Sequence, residues 1–140
     1  MNAITTRSGM FVSRLGDLKK ARAFLESFCE EAGIEKPAGL RLNLVVEELF
    51  LNTVKHGHRG GADAPVWITL STGPEGIHLS YEDHAGPFNP FAPGARELLE
   101  ALSETRREGG LGVLLANSLT TQSEYAYLFG RNRIRVTLAA

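Results

Sequence analysis

The sequence predicts an α+β two-layer sandwich, with helices packed on one face of a mixed, mostly antiparallel sheet. Three observations predict it. Apolar residues recur at helical spacing from Leu15 to Glu31 (Leu18, Ala21, Phe24, Leu25, Phe28) and again from Pro37 to about His56. Two pairs of β-prone runs, 66–71 with 77–82 and 121–128 with 133–138, are joined by glycine-bearing turns and read as antiparallel hairpins. The chain has 140 residues, the size of one compact domain spanning 1–140, enough to bury a core without disulfides. Helices and hairpins in this order layer as a sandwich.

Each element has its own signal. Residues 3–13 are short and β-prone, ending Met10-Phe11-Val12-Ser13, and read as an edge strand. Gly33 follows the first helical pattern as a left-handed cap, and Pro37 sits in the first turn of the second helix. Residues 58–63, with Gly60-Gly61, form a loop, and Asp83 to Gly94 is irregular because glycine and proline crowd it. Ala95 to Ser103 is a short helix, Glu104 to Gly110 a charged loop, and Leu111 to Leu119 an apolar helix. Phe129 to Asn132 turns the last hairpin.

Composition narrows the function classes. With 15 Lys+Arg against 16 Asp+Glu, the net charge of -1 gives no electrostatic footprint for nucleic acid. The basic run Arg131-Asn132-Arg133-Ile134-Arg135 alternates with other residues and reads as an exposed strand face. The single cysteine, Cys29, lies within a helical pattern and reads as core packing. No apolar run approaches the ~18 residues of a membrane span, and Met1 to Met10 has no signal-peptide h-region. The expectation is a cytoplasmic protein with neither a membrane nor a nucleic-acid partner.

Three segments carry chemistry. In the second helix Leu40, Leu44, Glu48, Asn52 and His56 are four apart and form one row beside Val45, Leu49 and Leu51. A carboxylate and an amide one turn apart suit a hard cation such as Mg²⁺, although the row taken alone reads first as a solvated helix edge. Next, Asp83 follows a strand and precedes the small residues Ala85 and Gly86. Such a carboxylate suits an exocyclic amine donor, or simply starts a turn. Last, Glu108-Gly109-Gly110-Leu111-Gly112 opens a helix, where backbone N–H groups and the helix dipole favour phosphate. A hinge or a close helix approach would use the same glycines.

In combination and order the segments resemble the GHKL (Bergerat-fold) ATP-binding superfamily, and among its members the small bacterial anti-sigma-factor serine/threonine kinases of the switch-protein branch. Residues 48–57 look like that family's N box, residues 83–90 its first glycine box and Gly109-Gly110-Leu111-Gly112 its second; residues 131–136 look like its last strand. The resemblance covers roughly 8–138. It implies that Asn52 holds Mg²⁺, Asp83 accepts from adenine N6 beside Gly86, and Gly110 and Gly112, with Gly109 and Leu111, meet the phosphates. Residues 91–108 would form the ATP lid, with Arg106 or Arg107 reaching the γ-phosphate. Glu48 would be the general base toward a serine or threonine hydroxyl. Glu47 points about 100° away. The implied cofactors are ATP and Mg²⁺. The implied partners are a small STAS-type anti-sigma-factor antagonist and a sigma factor, with a homodimer possible. One departure stands out: the family's glycine two residues after the aspartate is Ala85 here, which alanine fills without strain only at negative φ. The alternatives to a kinase are a nucleotide-gated binding module without transfer and a plain interaction domain.

Overall fold

The computed structural model describes residues 4–57, 61–94 and 119–140, together with the backbone but not the side chain of His56. It contains β1 (Thr6–Val12), α1 (Leu18–Ala32) entered through one 3₁₀ turn at Leu15–Asp17, α2 (Lys36–Asn52) continued by a π-helical turn at Thr53–Gly57, β2 (Pro65–Gly73), β3 (Gly76–Asp83), β4 (Gln122–Leu128) and β5 (Arg131–Leu138). The strands form one sheet in the order β1-β2-β3-β5-β4. Every pairing among the described residues is antiparallel, so the mostly antiparallel sheet contains no parallel pair there. The helices expected at 95–103 and over most of 111–119 lie outside the described residues; Leu119 is helical and packs against the core.

Alternation along the strands explains the layering. Val66, Ile68 and Leu70 of β2, Ile77, Leu79 and Tyr81 of β3, and Ile134, Val136 and Leu138 of β5 are buried on one sheet face. Ala21, Leu25 and Phe28 of α1 and Leu42, Val45, Val46, Leu49 and Phe50 of α2 meet them there. Cys29 packs half-buried at this core's margin. Gly33 closes α1 in the left-handed conformation at φ 68, and Pro37 stands in the first turn of α2. No described helix is long and apolar enough to cross a membrane.

The second helix is α-helical to Asn52 and continues as a π-helical turn to Gly57, so it ends where the sequence places its end but in a wider last turn. One boundary differs from the sequence reading. The last hairpin turns at Phe129-Gly130 alone, since Arg131 and Asn132 already belong to β5. Asn132 therefore faces Asp83 across the β3–β5 ladder.

Candidate functional site

The site lies where the C-terminal end of α2 meets the end of β3. Glu48 and Asn52 are one turn apart on α2, and both are half-buried. The row they belong to runs along the helix border: Leu40 and Leu44 are exposed, whereas Val45 and Leu49 beside them are buried. Burial pushes the Glu48 carboxyl up, and the neighbouring Glu47 charge adds to that rise while Lys55 opposes it. Glu47 turns instead toward α1 and pairs with Arg22 at 2.8 Å. The two adjacent glutamates thus divide, one tied to a helix neighbour and one left at the site. Asn52 Oδ1 is buried and has no hydrogen-bond partner among the described residues. An orphaned amide oxygen of this kind is an acceptor in need of a donor, a water or a hard cation.

Asp83 closes β3 and is 5% exposed. Its Oδ2 accepts from the Thr53 hydroxyl at 2.7 Å. Its Oδ1 accepts from the Ala85 N–H at 3.1 Å and the Asn132 amide at 2.9 Å. A carboxylate offers about four lone-pair positions; the three donors among the described residues leave one, on Oδ2. Through Oδ1 and the Ala85 N–H, Asp83 starts a turn. The Thr53 hydroxyl also lies 2.7 Å from the Tyr81 hydroxyl and 3.0 Å from the Leu49 carbonyl. Complete burial holds the Tyr81 hydroxyl well above its ordinary range, so it remains a donor.

Ala85 does not have positive φ; among the described residues only Phe129 does so without being glycine. Alanine therefore fits the backbone where the family has glycine. Its methyl group occupies space opened by a second glycine, since a Cβ on Gly57 would lie 2.6 Å from the Ala85 Cβ. Gly86 is exposed, and a Cβ there would meet nothing within 4 Å. Its carbonyl accepts from the Asn132 amide at 3.0 Å.

The structure thus brings Glu48, Asn52, Asp83 and Gly86 to one end of the sandwich. Arg106, Arg107, Gly109, Gly110, Leu111 and Gly112 lie outside the described residues. Sequence reasoning missed Thr53, Tyr81, Tyr125 and Asn132. Thr53 lies inside the 48–57 segment, and the signal that could have found Asn132 is that it is the one uncharged polar residue in the Arg131–Arg135 run. Along β5 the arginines face away from the core. Arg131 stacks on Trp67 at 3.7 Å and Arg135 pairs with Glu124 at 3.5 Å, as expected of an exposed strand face.

The model of the histidine kinase-like ATPase domain family matches residues 11–138. Among solved structures, the chain is similar to the RsbU and RsbW domains of Rv1364c from Mycobacterium tuberculosis. The TM-score is 0.67 at 13% identity, over 96% of this chain and 32% of that one. At that identity the likeness shows the fold, and the chain spans about a third of that protein's solved length. No curated protein matches.

Proposed function

The chain belongs to the histidine kinase-like ATPase domain family, and from that premise we propose that it binds Mg-ATP and transfers the γ-phosphoryl group to a serine or threonine of a small partner protein. In this reading it acts as an anti-sigma factor or partner-switching regulator, and nucleotide state biases which partner it holds. The observation that supports nucleotide binding is the Asp83 carboxylate, buried and oriented by three protein donors, with one acceptor position left for adenine N6. A relative with a domain named RsbW shares the fold and lends the partner-switching part its direction.

The residues divide the work. Asp83 orients the adenine end. Asn52 offers the orphaned Oδ1 to Mg²⁺. A hard cation held this way keeps waters and phosphate oxygens as its other ligands. When bound, Mg²⁺ would neutralise charge on the phosphate oxygens. Glu48 takes the proton from the attacking hydroxyl as its oxygen bonds to the γ-phosphorus and the bond to the β–γ bridging oxygen breaks, leaving ADP. The raised Glu48 pKa makes it a better base than an ordinary surface carboxylate.

Incubation with labelled ATP and candidate antagonist proteins tests the proposal. Transfer to serine or threonine, lost in Glu48→Gln, is the expected result. Tight ATP binding with no transfer to any antagonist would instead make the chain a nucleotide-gated binding module.

A further inference from the structure

We propose that Asn132 is a positioning residue that makes this pocket read a 6-amino purine; the inference rests on the nucleotide reading of Asp83 and adds to it. Asn132 sits opposite Asp83 on β5 and is 3% exposed. Its Nδ2 carries two hydrogens that three acceptors share: Asp83 Oδ1 at 2.9 Å and the carbonyls of Ala85 and Gly86 at 3.0 Å each. Its Oδ1 accepts from the Phe88 N–H at 3.0 Å and from the Tyr125 hydroxyl. The Tyr125 oxygen in turn accepts from the same Phe88 N–H at 3.2 Å. The orientation of the amide follows from this set, because a flipped group would place its oxygen against three acceptors.

A carboxamide is suited to this place. It donates to one strand end and its following carbonyls while accepting from the next turn, so one side chain fastens the whole Asp83–Phe88 segment to β5. Aspartate would offer no donor, leucine neither function, and threonine a single hydrogen. Fastening has a chemical consequence at Asp83. Oδ1 is filled by the Ala85 N–H and the Asn132 amide, so the remaining acceptor position is on Oδ2, and the carboxylate is held against rotation. A purine with an exocyclic amine at position 6 supplies the donor that this acceptor needs. A 6-oxo purine sets acceptor against acceptor, and leaving such buried groups unpaired is what makes rejection strong.

The test compares Mg-ATP and Mg-GTP binding by calorimetry in wild type, Asn132→Ala and Asn132→Asp. Wild type should prefer ATP. Asn132→Ala should lose about tenfold or more of that preference, because the freed carboxylate can turn and the loop can shift; a merely structural role would weaken both nucleotides alike. Asn132→Asp places a second carboxylate against Asp83, and the two should share one proton at low pH. Its ATP binding should therefore be poor near pH 8 and recover toward pH 5.5, relative to wild type at each pH. This pH signature carries the test if the alanine variant does not fold. An unchanged ATP-to-GTP ratio in folded Asn132→Ala, or pH-independent ATP binding by Asn132→Asp, overturns the proposal alone. A wild-type chain that binds no ATP overturns the nucleotide reading and this proposal with it.

Discussion

At the level of single residues, Glu48 is where stability and the proposed chemistry oppose one another. A carboxyl whose pKa is raised on folding binds its proton more tightly in the folded chain. Its contribution to stability is thus full below the ordinary value of 4.5 and is lost as pH rises through the raised folded value. Glu48→Gln carries no such charge. Its melting temperature relative to wild type should therefore climb across that window and level off above it, while phosphoryl transfer disappears and ATP binding is largely kept. Melting curves from pH 4 to 8 beside a transfer assay check both halves. Asp83→Asn exchanges an acceptor for a donor at the end proposed to meet the purine. It should weaken ATP binding by about ten- to a hundredfold, measured by calorimetry. Gly57 and Ala85 form a coupled pair. Gly57→Ala should destabilise by about 1–3 kcal/mol through overlap with the Ala85 methyl group. Much of that loss should return in Gly57→Ala with Ala85→Gly. A double-mutant cycle by denaturant unfolding reads the coupling, and additive effects would show that the methyl groups do not compete.

At the level of elements, the junction between α2 and the sheet is made by Thr53. It caps α2 in α-helical geometry, and its hydroxyl reaches both Tyr81 and Asp83 of β3. The helix that bears Glu48 and Asn52 is thereby tied to the strand that bears Asp83. Thr53→Val keeps the shape but removes the hydroxyl. Tyr81 can still donate to the Leu49 carbonyl at 3.2 Å, but Asp83 Oδ2 loses its protein donor. The expected cost is about 1–3 kcal/mol, and bound ATP should recover part of it by supplying a donor to the same oxygen. Unfolding in urea with and without nucleotide checks this.

At the level of the whole molecule, the sandwich buries one sheet face under α1 and α2 and places the site at the edge of that layer. A ligand that binds only the folded state stabilises all of it. Mg-ATP at roughly a hundred times its Kd should add about 2.7 kcal/mol, which for a chain of this size raises the melting temperature by roughly 9 °C. No shift at millimolar Mg-ATP would favour a plain interaction domain. The other sheet face carries the arginine stripe of β5 with its partners Trp67, Glu82 and Glu124.

Local pattern determined much of this protein. Helical spacing, Gly33, Pro37 and the two hairpins are short-range signals, each readable within a few residues, and they carried the α+β sandwich. Glu48, Asn52, Asp83 and Gly86 are singled out in the sequence by types and order that are unusual together, and the structure brings these four to one end of the sandwich; the Gly109–Gly112 run lies outside the described residues. What only the tertiary structure decided involves partners far apart in the chain. The sequence cannot show that Asn132 faces Asp83, that the Thr53 hydroxyl reaches β3, or that Gly57 makes room for Ala85. Those facts arise from strand register, the packing of a helix end against a strand and close packing across elements. Glu47 and Glu48 show both sides: helical spacing alone turns Glu47 about 100° from the row, and the structure adds that Glu47 pairs with Arg22 of α1 while Glu48 is half-buried at the border of α2.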